Sequence, residues 1–94
     1  GVELLLLTVP LSPALVAQLD PARYRRMQET LEGLARTPGI RYRNDIADRR
    51  FGDAEFADPD HMNHRGAVRY SRILAAEEIL PVFRNATDAP GPPR

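Results

Sequence analysis

The run Phe56-Ala57-Asp58-Pro59-Asp60-His61-Met62-Asn63-His64-Arg65-Gly66-Ala67 concentrates the side chains of this sequence that could do chemistry. A carboxylate three residues before a histidine can fold back in a tight turn and accept the ring Nδ1–H. That contact fixes the tautomer and leaves Nε2 free to take a proton from a hydroxyl. Asp58 and His61 stand at this spacing, and Pro59 stiffens the turn between them. Asn63 reads as the cap of a helix beginning at residue 64. The N-terminus of that helix disfavours imidazolium while Asp58 favours it, and such opposed effects hold a base near neutrality.

The same segment is open to plainer readings. His61 could be a loop histidine capped by a neighbouring carboxylate and nothing more. Asp58, Asp60, His61 and His64 together have the donor types of a zinc or manganese site. Against that, His61 and His64 straddle the expected helix start instead of sharing one helical face. Gly66 is expected to let the helix pack closely, at a cost of up to about 1 kcal/mol relative to alanine.

The elements that must position this segment can be read from patterning. Residues 3–9, Glu-Leu-Leu-Leu-Leu-Thr-Val, form a short apolar run ended by Pro10, as in a strand buried on both faces. Residues 11–19 are irregular or one helical turn. Asp20-Pro21 is a strong helix start, a carboxylate cap followed by proline at the first helical position. Apolar side chains at Tyr24, Met27, Leu31, Leu34 and Ala35 then mark one face of a helix reaching about Arg36, stopped by Thr37-Pro38-Gly39. Ile40-Arg41-Tyr42-Arg43-Asn44 alternates like an edge strand. Strand, helix and strand predict a right-handed βαβ unit with parallel strands.

Residues 45–62 read as a long polar loop, and the chemistry-bearing segment lies mostly within it. Open α/β sheets build their sites outside the carboxyl ends of the strands, so its position after the last strand fits a site. A final helix over about 64–80 presents Ala67, Tyr70, Ile73 and Leu74 inward, and Pro81 ends it. The expected organisation is a structured portion over residues 1–85 and a disordered Pro-rich tail over 86–94.

The fold class is therefore α/β, but the inventory is short. Two parallel strands are only part of such a sheet, and the first strand is too apolar to face water. Upstream strands, another subunit or a swapped copy should cover it, so the chain reads as the C-terminal portion of a larger α/β domain that self-associates when alone. It begins at Gly1 in place of Met, as a processed product or a fragment would.

Composition narrows the function classes. The chain has 94 residues and a mass of 10.5 kDa, enough for one small domain. Its 13 basic side chains, all arginine, balance 13 acidic ones. Zero net charge gives no electrostatic footprint for nucleic acid or for an anionic membrane surface. Cysteine is absent, which removes disulfides, thiolate ligands and thiol nucleophiles. The apolar run Leu4–Leu7 with Val9 is far shorter than the ~20 residues of a membrane span and lacks the basic flank of a signal peptide. Arg23, Arg25 and Arg26 read as solvated helix positions. Arg49 and Arg50, beside Asp45, Asp48 and Asp53, read as charged surface or as contacts for an anionic polymer or acyl donor. Tyr24, Tyr42 and Tyr70 read as core edges with wet hydroxyls.

The pattern Phe56-x-Asp58-x-x-His61-x-Asn63-x-x-Gly66-Ala67, followed by a helix, resembles the last conserved block of the SGNH (GDSL-like) hydrolase superfamily. Within it, the nearest likeness is to cell-envelope polysaccharide O-acyltransferases and D-alanyl-transfer proteins. The strand ending Thr8-Val9-Pro10 resembles the penultimate strand of that family, so the likeness loosely spans residues 2–80 and is specific over 56–67. The resemblance implies a flavodoxin-like three-layer fold and an extracytoplasmic setting. It also implies that Asp58 and His61 are two members of a Ser-His-Asp triad for ester hydrolysis or O-acyl transfer, acetyl being the expected group, on a carbohydrate. No cofactor is implied. The partners implied are an acylated carbohydrate or acyl donor and the remainder of the domain. The family's Gly-Asp-Ser block and its oxyanion-hole Gly and Asn have no counterpart here. Ser12 lies between prolines and Ser71 within the last helix, so the nucleophile is expected outside this chain and the isolated chain is expected to be inactive. The alternatives are a non-catalytic module binding a glycan or partner chain, and a metal-dependent site at His61 and His64.

Overall fold

The computed structural model describes residues 3–88, and the side chains of residues 3–84. The apolar run closed by Pro10 is too short for a helix and is extended, β1 spanning Leu4–Thr8. Ser12 then caps a single turn, α1 (Pro13–Val16), its Oγ accepting from Leu15 N at 3.2 Å. The expected start of the long helix is realised in α2 (Pro21–Leu34), where Asp20 Oδ1 accepts from Ala22 N at 3.0 Å. Gly39, at φ 85°, makes the reversal into β2 (Ile40–Asn44), a conformation that glycine adopts at little cost.

β1 and β2 pair in parallel, in register from Leu4 opposite Ile40 to Thr8 opposite Asn44. Backbone bonds extend the ladder at both ends, from Leu4 N to Gly39 O (2.8 Å) and from Asp45 N to Thr8 O (3.0 Å). The chain is thus mixed helix and strand, with a parallel strand–helix–strand unit where the patterning places one.

Residues 45–62 are more ordered than a polar loop. A 3-10 turn at Asp53–Glu55 leads into β3 (Phe56–Asp58), which pairs antiparallel with β4 (His61–Met62). Strands this short carry no readable alternation, so periodicity could not find them. The next helix, α3 (His64–Leu74), buries Gly66 and Tyr70, with Ile73 and Leu74 half-buried. Ala67, expected to face inward, is exposed, because the approach face of the helix is centred on Gly66.

The chain does not leave its helical path at Pro81. A π-turn over Ala75–Ile79, where Leu80 N donates to Ala75 O, joins α3 to α4 (Leu80–Asp88). Proline lacks an N–H and its ring crowds the carbonyl four residues back. A widened turn just before it relieves that crowding and lets the helix continue. Of the expected disordered tail, 86–88 belong to α4, and 89–94 lie outside the described residues.

The best-packed region lies beyond the carboxyl ends of the strands. Pro10, Ser12, Asp45, Ile46, Phe51, Glu55, Gly66 and Tyr70 are all buried, and none belongs to β1 or β2. On the β1 side, Leu4, Leu7 and Val9 remain 51%, 37% and 44% exposed. Among the described residues the parallel sheet has two strands. The radius of gyration is 16.3 Å, whereas about 12 Å is usual for a compact domain of this length. None of the helices among the described residues is long and apolar enough to cross a membrane.

Candidate active site

The turn of the β3–β4 hairpin, Asp58-Pro59-Asp60, is fixed from three directions. Asp60 N donates to Asp58 Oδ1 (3.2 Å), closing the turn on itself. Ser12 N donates to Pro59 O (3.0 Å), tying the turn to the segment that follows β1. At the base of the hairpin Asn63 holds both of its neighbours. Its backbone N–H reaches Glu55 O (2.9 Å) and its Nδ2 reaches Ala54 O (2.8 Å), while Oδ1 accepts from Gly66 N (3.0 Å) as the cap of α3. The expected cap role is therefore joined to a second one, clamping the hairpin to the helix.

Beneath the hairpin runs a connected polar and aromatic layer. The Glu55 carboxylate pairs with Arg69, whose guanidinium lies 5.0 Å from the Phe51 ring centroid. Phe51 meets Tyr70 edge to face at 5.7 Å. The Tyr70 hydroxyl donates to Asp45 Oδ2 (2.7 Å), and Arg43 Nε reaches the same oxygen (2.7 Å). Tyr70 is thus not a core edge with a wet hydroxyl. Its phenol is buried and committed to Asp45, and that burial together with the carboxylate raises its pKa.

On this frame the expected pair is formed. His61 Nδ1 lies 2.7 Å from Asp58 Oδ1, the two residues facing each other across the hairpin. A second carboxylate joins them, with Asp60 Oδ1 2.9 Å from the same nitrogen. From spacing alone Asp60 reads only as a metal ligand. An Asp-x-Asp-His run does contain the signal, since a turn that returns residue 58 to the ring also brings residue 60 alongside. In the titration of His61 the neighbouring carboxylates are opposed by desolvation. The carboxylates prevail: hydrogen bonding and charge from Asp58, then charge from Asp60, raise the His61 pKa above its ordinary value. Hydrogen bonding from Asp60 and then from His61 holds the Asp58 carboxyl below its own.

With Nδ1 engaged, Nε2 is the nitrogen available to exchange a proton with a reacting group. The His61 side chain is 71% exposed and that of Asp58 54%, so both stand in water. The arrangement can orient a general base and balance its positive charge, but these residues by themselves do not exclude water.

The four-residue metal grouping is not assembled. Asp58, Asp60 and His61 bring donor atoms within 4.8 Å of one another, all three exposed, and His64 is not among them. His61 Nδ1 is turned to the two carboxylates. Ser12 is buried with its Oγ committed to Leu15 N, and Ser71 lies on the exposed side of α3. Arg50 is engaged by Asp48 (2.7 Å) and Glu77 (3.1 Å) in place of offering an anion contact. Arg23 is a solvated helix position, 3.7 Å from Asp20. No family model, curated protein or solved structure matches the chain.

Proposed function

We propose that this chain contributes the His61–Asp58 part of a Ser-His-Asp triad for ester hydrolysis or O-acyl transfer, with an acylated carbohydrate as substrate class. The observation that carries the reading is the 2.7 Å contact from Asp58 Oδ1 to His61 Nδ1, made at the carboxyl end of a parallel strand pair with Nε2 left free. The acetyl-carbohydrate preference, an extracytoplasmic setting and an SGNH-type three-layer fold rest on the likeness of residues 56–67 to that family's last block.

In this mechanism a serine outside the chain attacks the acyl carbon and His61 Nε2 takes its proton. Asp58, a positioning residue, holds the Nδ1–H and balances the imidazolium that forms. His61 then returns the proton to the leaving alcohol, and the acyl-enzyme is resolved by water or by a sugar hydroxyl activated at the same nitrogen. No step calls for a cofactor. The exposure of His61 and Asp58 fits a shared site, because a triad works where protein dipoles replace water. The nucleophile, the oxyanion donors and the wall over the ring would come from the rest of the domain or from another chain, which would also cover β1.

The test is intact-mass labelling of the full gene product carrying these residues with a fluorophosphonate, with and without His61→Ala. One adduct on a serine outside this chain, lost in the variant, is the expected result. Absence of labelling in the folded wild-type protein would overturn the triad and leave a binding module as the better account.

A further inference from the structure

We infer that Asp60 is a second positioning residue for His61, its carboxylate sharing the Nδ1–H with that of Asp58. The inference rests on the reading of His61 as a base and adds to it how the ring is held.

One ring nitrogen has two carboxylate oxygens within hydrogen-bond distance, Asp58 Oδ1 at 2.7 Å and Asp60 Oδ1 at 2.9 Å. The contact to Asp58 is the hydrogen bond and that to Asp60 an ion pair of nearly the same length, so a small rotation of the ring carries the N–H from one acceptor to the other. The two acceptors are also tied to each other, since Asp60 N donates to Asp58 Oδ1 and Pro59 between them has a fixed φ. Ser12 N, bonded to Pro59 O, holds the middle of the same turn. These two carboxylates are the charged groups that act on His61, and among the described residues no arginine lies within ion-pair distance of either.

The arrangement answers a difficulty raised by the exposure of the site. A single carboxylate that is 54% exposed loses its partner each time it rotates into water. With Asp60 on the same N–H, the ring keeps an acceptor while Asp58 is away, so the tautomer with Nε2 unprotonated stays in place. In a triad with one carboxylate, replacing it by the amide leaves the histidine in the wrong tautomer. Here Asp58→Asn would still leave Asp60 to hold the Nδ1–H.

The experiment is an NMR titration of the His61 ring, with its tautomer read from nitrogen shifts, in this chain as wild type, D58N, D60N and the double variant. The backbone amide spectrum reports folding of each variant, and both positions are exposed. Each single variant is expected to lower the His61 pKa part of the way and to keep the Nδ1–H tautomer dominant. The double variant is expected to return the ring to ordinary histidine behaviour. A D60N titration identical to wild type, with D58N alone matching the double variant, would overturn the inference. The titration reads the ring and not turnover, so a protein that fails fluorophosphonate labelling can still pass here, and the two failures are told apart.

Discussion

Gly66, in the first turn of α3, packs directly against the backbone of Glu55. A Cβ at this position would fall inside van der Waals contact of the Glu55 carbonyl oxygen, 3.1 Å from Glu55 Cβ and 3.3 Å from its carbonyl carbon. Asn63 bonds to the same carbonyl, so hairpin and helix meet at one peptide group.

Gly66→Ala should therefore destabilise the chain although alanine is the better helix former. Overpacking against backbone costs about 1–3 kcal/mol, partly offset by about 1 kcal/mol of helix propensity. Denaturant titration of wild type and variant measures the balance. A more stable variant would mean that hairpin and helix are not locked at this point.

Tyr70→Phe removes the buried donor to Asp45 and leaves the packing against Phe51 unchanged. Hydrogen bonds to a charged acceptor contribute about 1.5–3 kcal/mol, and a loss in that range is expected in urea unfolding. A neutral substitution would show that Arg43 alone satisfies Asp45.

The Asp58–His61 pair gives a pH window with a definite sign. The His61 pKa is raised from 6.5, so its contribution to stability is complete below 6.5 and is lost as pH rises through the folded value. The Asp58 pKa is lowered from 3.8, so its contribution is complete above 3.8 and is lost as pH falls through the folded value. The stability difference between wild type and His61→Ala should plateau between those limits and shrink on either side. Because the groups are exposed the effect is small, and it is best read as a midpoint difference. A difference that stays flat from about pH 3 to about pH 8 would rule the linkage out.

The chain alone is expected to self-associate through β1, whose outer edge is unpaired among the described residues and whose Leu4 and Leu7 are exposed. Light scattering should give a mass that grows with concentration, and Leu7→Lys should reduce it. A monodisperse wild-type monomer at all concentrations would count against an incomplete sheet.

What the sequence announces are the features with local causes. Asp20-Pro21 starts a helix and Asn63 caps another because each motif satisfies its own backbone donors. Four leucines and an alternating Ile40–Asn44 are enough for two strands. The Asp58–His61 contact is legible for the same reason, being a turn of four residues. The β3–β4 hairpin is not, since its strands of three and two residues are fixed by Asn63 and Ser12 from outside. The helix beyond Pro81 was hidden because proline normally stops a helix, and a π-turn does not announce itself in side-chain type. The Tyr70–Asp45 bond spans 25 residues and needs the fold before it can be seen.

The concentration of packing beyond the strand ends reverses the usual order of local opening. Loops ordinarily exchange their amide hydrogens first and sheets last. Here the amides of Leu11, Ser12 and Asn63 are bonded across segments, to Ile46 O, Pro59 O and Glu55 O, each bond having a buried residue on one side. β1, by contrast, has one edge unpaired among the described residues and apolar side chains in water. Heat or denaturant should loosen the sheet while the hairpin still holds His61 against its carboxylates, so the part of the chain that carries the chemistry outlasts the part that would dock it.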